Sequence, residues 1–224
     1  MADSEDTLYN SLKEQGFTIK KDNFLDAYHV AHQKYRKVRY EQFREVSNAI
    51  WVSEALCNLG IKVDPEDSRV KAALNIFFQD FIDTLELRVG AKKLLAQTQA
   101  KCKVGLISNF THAPVIYKSL RKIGICNFFN AVVVSEDVGW RKPCSQIFQD
   151  MLNRLQIKAE DAIYVGDSPI EDIRGAKEAG LKTIFVSSQF NKLADLKGSN
   201  EKPNFIAKSL LEVIKSLDCL FSAN

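Results

Sequence analysis

Four short apolar runs, Val104–Ile107, Ala131–Val134, Ala162–Val165 and Thr183–Val186, recur along the second half of the chain. Between them lie Val115–Ile123, Ser145–Leu155 and Glu171–Ala179, each long enough for a crossover helix. Parallel strands need such crossovers, and strands covered on both faces read as continuous apolar runs. The alternation therefore predicts an α/β fold, a doubly wound (Rossmann-like) parallel sheet with helices on both sides. Gly180 ends one helix just before the last run, and Ser209 is placed to cap a final helix over Leu210–Leu217.

The first part of the chain has a different rhythm. From about Leu12 to Leu87 only the helical period is present. Asp22 is placed to cap a helix with Phe24, Ala27, Tyr28, Ala31, Tyr35 and Val38 on one face. Ala49–Leu59 is helical in pattern and stops at Gly60. Asp64-Pro65 reads as a helix start, followed by the stripe Val70, Ala73, Leu74, Phe77, Phe81 and Leu85. The expected organisation is an α/β core domain over residues 1–11 and 89–224, with an all-helical cap domain over residues 12–88 inserted into it.

Composition narrows the class of protein. With 224 residues, 46% of them hydrophobic and only 10 Gly and 5 Pro, the chain is globular rather than disordered or collagen-like. Its 31 Lys+Arg against 28 Asp+Glu give no charge-based case for nucleic acid or membrane as partners. The five cysteines (Cys57, Cys102, Cys126, Cys144 and Cys219) are odd in number and scattered, with no C-x-x-C pair. That argues against a disulfide framework or a structural zinc site, and for buried free thiols in a reducing compartment. No apolar run approaches the ~18 residues of a membrane span, and the polar start MADSEDT does not read as a signal peptide. A cytoplasmic location is expected.

In open α/β sheets ligands bind beyond the carboxyl ends of the strands, so the residues following each apolar run carry the functional signal. Ser108 and Asn109 follow the first run. After the second come Ser135, Glu136 and Asp137, then Gly139, Trp140, Arg141, Lys142 and Pro143. Gly166-Asp167-Ser168 follows the third, with Asp172 five residues beyond Asp167. Taken singly, Ser108 reads as a turn residue and Lys142 as a solvated lysine. The acid pair is sharper: a glycine permits a tight turn, and two carboxylates held there repel unless a cation is shared. Oxygen ligands of this kind suit Mg²⁺. The bland alternative makes Asp172 a helix cap and Asp167 a turn acid. At the chain start, Asp3, Glu5 and Asp6 crowd three acids into four positions. A carboxylate is able to act as a nucleophile if a cation, a second acid and fixed hydrogen-bond donors accompany it.

These segments together resemble the haloacid dehalogenase superfamily, in the phosphatase branch with a helical cap inserted after the first motif. Asp3-Ser4-Glu5-Asp6-Thr7-Leu8 resembles the first motif, D-x-D-[G/D/N]-T-L. Gly105-Leu106-Ile107-Ser108-Asn109 resembles the second, and Lys142-Pro143 with Ile147-Phe148 the third. Gly166-Asp167-Ser168, Asp172 and Gly175-Ala176 resemble the fourth. The resemblance implies Asp3 as a nucleophile forming an aspartyl-phosphate. It implies Glu5 as the general acid and base, with its backbone carbonyl on the metal. Ser108, Asn109 and Lys142 would hold the phosphoryl group, with Lys142 balancing the charge on Asp3. Asp3, Glu5, Asp167 and Asp172 would surround Mg²⁺, Asp172 either ligating it or orienting its neighbours.

The sequence departs from this pattern twice. The family's phosphatases carry Asp where Glu5 stands, and the extra methylene displaces the proton donor by about 1 Å, enough to cost on the order of 100-fold in rate. The family's nucleophile also follows an apolar strand, whereas only Met1 and Ala2 precede Asp3. A start truncated upstream is the expectation. The implied function is Mg²⁺-dependent hydrolysis of a small phosphate monoester: a sugar phosphate, glyceraldehyde phosphate, phosphoglycolate or an acylneuraminate phosphate. The alternatives are a non-catalytic binding module of the same fold and a 2-haloacid dehalogenase, the latter disfavoured by the acid at position 5. Within the cap, His32 and Trp51 are expected to pack, while Arg36, Lys37, Arg39 and Arg44 read as a solvated basic face. Oligomeric state has no sequence signature here.

Overall fold

The computed structural model describes residues 2–221, with side chains placed for residues 4–215 and 217. In chain order, five helices come first: α1 (Ala2–Glu14), α2 (Lys21–Glu41), α3 (Asn48–Asn58), α4 (Ser68–Phe77) and α5 (Gln79–Thr84). Then follow α6 (Ala91–Gln99), β1 (Gly105–Ser108), α7 (Ala113–Lys122), β2 (Ala131–Val134), α8 (Ser135–Val138) and α9 (Ser145–Leu155). The chain continues through β3 (Ile163–Gly166), a π-helical turn Pro169–Arg174 that runs into α10 (Gly175–Glu178), and β4 (Lys182–Val186). It closes with α11 (Leu193–Gly198), β5 (Phe205–Ala207) and α12 (Leu210–Phe221).

Two compact units are formed. One takes in Met1–Leu85, Asn109–Lys122 and Val134–Gly139, the other Glu86–Ser108, Ile123–Val133 and Trp140–Asn224. The first unit is helical. In it α1 packs on α4 and α2 on α3, around Leu8, Leu12, Phe24, Trp51, Val52, Leu56, Val70 and Leu74. Leu8 and Leu12 are one helical turn apart and both buried, which fixes the face that α1 turns inward. The helical segment therefore reaches further toward the N-terminus than residue 12, and residues of α1 group with the helices.

Helix boundaries in this unit follow capping chemistry that sequence spacing only partly locates. The Asp64 carboxylate accepts from the Glu66 N–H at 2.7 Å in a turn, and it is Asp67 that caps α4 by accepting from the Arg69 N–H at 2.8 Å. α2 begins after Lys20, leaving Asp22 in its first turn rather than at its cap. Gly60 does close α3: at φ +83° its N–H reaches the Cys57 carbonyl at 2.9 Å, and the Ile61 N–H reaches Leu56 at 3.0 Å. Arg39 is not part of a solvated face. It is buried, donates to Glu45 Oε1 at 2.7 Å and lies over the Trp51 ring.

The second unit is the α/β part. β3, β4 and β5 form a parallel sheet in that order, with Val165 opposite Ile184 and Phe185 opposite Ile206. Alternation along β4 sends Ile184 and Val186 to one face, where Leu94, Val213 and Leu217 meet them, and Phe185 to the other, against Ile173 and Leu196. Both faces are thus covered, which is why this run is continuously apolar. β1 and β2 make a separate two-stranded pair, so the expected single sheet is present as two. Among the residues whose side chains are described, Cys57, Cys102, Cys126 and Cys144 are free thiols, and in place of the expected burial Cys57 is exposed and the other three are half-buried.

Candidate active site

The polar centre of the α/β unit is built where β3 ends. β3 delivers Tyr164 and Gly166, two residues apart and so on one face of the strand. The chain then turns through Asp167 and Ser168, and the Ser168 hydroxyl caps the next helical segment by accepting from the Glu171 N–H at 3.1 Å. That segment places Asp172 back over the turn. One Asp172 oxygen accepts from the N–H groups of Asp167 and Ser168 at 3.0 and 2.9 Å. The other accepts from Lys142 Nζ at 2.6 Å and from the Tyr164 hydroxyl at 3.1 Å. Lys142, which precedes Pro143 across a cis peptide bond, also donates to the Tyr164 oxygen at 3.1 Å.

Gly166 is required here by contact. A methyl group at this position would sit 2.5 Å from Asp172 Cβ and Cγ, so only glycine lets the carboxylate fold across the turn. Its φ is not left-handed, and turn flexibility is not the reason. Asp167 points elsewhere: its Oδ2 accepts a short hydrogen bond from the Ser188 hydroxyl and one from Asn191 Nδ2 at 3.3 Å. Nearby, the buried Arg141 donates to Glu171 Oε1 at 3.2 Å.

Electrostatics keep this cluster charged. Burial opposes the charge on Lys142, but the carboxylate at 2.6 Å outweighs it and holds the ammonium's pKa raised. Burial likewise works against the Asp172 carboxylate, and Lys142 together with the two backbone N–H groups holds its pKa below the usual range. Burial and the adjacent carboxylate keep the Tyr164 phenol protonated, with its pKa raised. Lys142 is the cation that meets Asp172 at the acid turn, while Asp167 faces Ser188 and Asn191.

Lys142, Asp167 and Asp172 are brought together as the sequence indicates. Asp172 engages four hydrogen-bond donors with its two oxygens, so it orients the turn and balances the lysine. Asp167 keeps carboxylate capacity, and a site with one carboxylate, water and substrate oxygens is the kind that Mg²⁺ accepts. Among the described residues, no group of three His, Cys, Asp or Glu side chains forms a ready-made cage. Ser108 ends β1, and Asn109 follows in the helical unit. The first-motif residues are placed differently from their expected strand-end turn. Asp3 and Glu5 lie within α1, where the carbonyl of Glu5 belongs to the helical ladder and its carboxylate meets His29 Nε2 at 2.9 Å. The Asp3 side chain lies outside the described residues.

Tyr164, Ser188 and Asn191 escaped the sequence reading. Tyr164 carries a signal in the two-residue period of its strand, which puts it on the same face as Gly166. Ser188 stands just beyond the Thr183–Val186 run, the same kind of strand-end position that marks Asp167.

A parallel α/β unit with a buried lysine–carboxylate pair and a second carboxylate at a strand's end belongs to the class of ligand-binding doubly wound folds. The chain matches the haloacid dehalogenase-like hydrolase family over residues 2–186, and it belongs to that family. It is 33% identical over 171 residues to a glyceraldehyde 3-phosphate phosphatase of Methanopyrus kandleri, covering 70% of this chain and 69% of that protein. A 2-haloacid dehalogenase of Pseudomonas syringae pv. Tomato shares the fold, with a TM-score of 0.68 at 20% identity over 97% of this chain and 90% of that one. So does the HAD-hydrolase YfnB of Bacillus subtilis bound to magnesium, at TM-score 0.59 and 22% identity, over 96% and 92% of the two chains.

Proposed function

We propose that this protein hydrolyses a small phosphorylated metabolite, a sugar phosphate or similar monoester, with Mg²⁺ as cofactor. The observation that carries the reading is the Lys142–Asp172 pair beside Asp167, in a chain related to a glyceraldehyde 3-phosphate phosphatase. In this reading Lys142 holds a fixed positive charge toward the phosphoryl oxygens, because Asp172 anchors its ammonium without exposing it to solvent. Ser108 and the Asn109 backbone contribute hydrogen bonds to the same oxygens. Asp167 would hold Mg²⁺, which when bound supplies charge neutralisation to the transferring group. Asp3 would attack phosphorus as the ester P–O bond breaks, with Glu5 giving a proton to the leaving oxygen and then taking one from the water that hydrolyses the aspartyl-phosphate, roles that require the first residues to adopt an extended turn in place of the opening turn of α1.

A second reading, a binding module that holds phosphate esters without turning them over, is favoured by one observation: Glu5 is engaged by His29 within the helical unit. Phosphate release from a panel of monoesters including glyceraldehyde 3-phosphate, with Mg²⁺ and with EDTA, decides between them. The phosphatase reading expects metal-dependent release that Asp3→Asn abolishes and Lys142→Met lowers by at least roughly 100-fold. Binding of the same esters without release would overturn it in favour of the module. The 2-haloacid dehalogenase reading gains nothing from structural likeness at 20% identity.

A further inference from the structure

The residues that hold Asp167 come from the exit of the neighbouring strand. β3 and β4 run parallel with Gly166 opposite Phe185, so both leave the sheet at the same end, one into Asp167 and the other into the turn at residues 187–192. That turn is tied down along its length. The Ser187 N–H donates to the Ala207 carbonyl of β5 at 3.2 Å, and Arg88 Nη2 reaches the Ser187 carbonyl at 2.5 Å. The Ser188 N–H donates to the Asn191 carbonyl at 2.8 Å, and Lys192 Nζ to the Ser188 carbonyl at 2.7 Å. Inside the turn the Ser188 hydroxyl accepts from the N–H groups of Phe190 and Asn191, each at 3.0 Å. A hydroxyl has two acceptor positions and one proton. The backbone of the turn takes both acceptor positions, so the proton is directed at the remaining neighbour, Asp167 Oδ2. Asn191 Nδ2 donates to the same oxygen at 3.3 Å. Among the described residues, no hydrogen bond reaches Asp167 Oδ1.

We propose that Ser188 and Asn191 are positioning residues for metal binding, holding the Asp167 carboxylate through Oδ2 and leaving Oδ1 as the oxygen that takes Mg²⁺; this rests on the metal-dependent phosphatase reading. An aspartate at a strand end rotates about two side-chain bonds, and a cation that binds it has to stop both rotations. Donors on Oδ2 stop them beforehand, so the cost is met in folding rather than in binding. Mg²⁺ demands near-ideal octahedral geometry, which makes the direction of each carboxylate matter. Asp172 does not supply this constraint, because its oxygens engage Lys142, Tyr164 and the N–H groups of Asp167 and Ser168. Groups that orient a metal ligand from behind are typically worth about 10–100-fold in metal affinity.

The test is calorimetric titration of the metal-free full chain with MgCl₂ in the absence of substrate. Asp167→Ala should abolish binding. Ser188→Ala should raise the Kd by about 10–100-fold, and Ser188→Thr, which keeps the hydroxyl, should stay within about 2-fold of the parent. Asn191→Ala removes the longer contact and keeps the backbone of the turn, so it should raise the Kd by about 5-fold. It also carries the test if Ser188→Ala fails to fold. The Mg²⁺ concentration that gives half-maximal phosphate release should rise by the same factors. A parental Kd in both alanine variants, with only the melting temperature in EDTA lowered, would make the turn purely structural and overturn the proposal while the phosphatase reading stands. Ser188→Thr binding as weakly as Ser188→Ala would overturn it in the same way. A parent that binds no Mg²⁺, or binds it equally well after Asp167→Ala, would overturn the phosphatase reading and this inference together.

Discussion

Replacing Lys142 with Met tests the central electrostatic argument. The Lys142 and Asp172 side chains are 11% and 5% exposed, and their 2.6 Å contact is the main compensation for burying both charges. Removing one partner of a buried pair costs about 3–5 kcal/mol, because the other charge is left without its counterion. Here Asp172 retains the Asp167 and Ser168 N–H groups and the Tyr164 hydroxyl, which places the expected cost near the low end, about 3 kcal/mol. Lys142→Met combined with Asp172→Asn removes both charges, and its loss is expected to be smaller than the sum of the single losses by about 2 kcal/mol. Urea unfolding followed by circular dichroism reads these differences as shifts in midpoint at unchanged slope. The pH dependence supplies an independent sign. In the parent, the lowered pKa of Asp172 means that its contribution is present above pH 3.8, the unfolded value, and is lost as pH falls through the lower folded value. In Lys142→Met, burial without a counterion raises the folded pKa of Asp172, so acidification relieves the variant and the two stability curves converge. A Lys142→Met deficit below about 1 kcal/mol, or one that stays constant from about pH 7 to about pH 4, would refute the reasoning.

Three further outcomes rest on the same structure. Gly166→Ala forces a methyl group to within 2.5 Å of the Asp172 side chain, so thermal unfolding should show a loss of about 1–3 kcal/mol even though alanine is the smallest replacement. Burial, with Lys118 and Lys71 adding to it, lowers the pKa of His112 to about 4, and its ring meets Asn75 Oδ1 at 3.2 Å. Its folded value lies below the unfolded 6.5, so its contribution is present above pH 6.5 and is lost as pH falls toward 4. The expected loss at about pH 5 is about 2 kcal/mol, and His112→Asn should flatten that part of the stability–pH profile. Glu45→Gln leaves the buried Arg39 facing a neutral partner, and the helical unit should lose about 3 kcal/mol in urea unfolding, with a normal result only if Arg39 finds another acceptor.

Local chemistry made much of this protein legible from its sequence. The runs Ala131–Val134, Ala162–Val165 and Thr183–Val186 fall on β2, β3 and β4 to within one residue, and for β4 cover on both faces leaves no polar alternation to confuse the pattern. α9 falls on its expected residues because its apolar face is complete at the helical period. Gly-Asp-Ser with Asp172, and Lys142 before Pro143, stood out because strand ends gather chemistry in folds of this kind. The three-residue β5 carried too short a pattern to register, and no helix was expected at the very start, where Leu8 and Leu12 needed the rest of α1 to form a face. Arg39 looked solvated because its composition said so, and only packing against Trp51 and Glu45 takes it inside.

Pairing and direction were decided by tertiary structure. Sequence specified two acids and a lysine near one edge, while folding chose which acid the lysine neutralises and turned the other toward Ser188 and Asn191. It specified strands as well, but which strands share a ladder depends on the side-by-side arrangement of distant segments. Hydrogen-bonding capacity along a strand is the same on both edges, so no residue pattern announces that β1 and β3 belong to separate sheets.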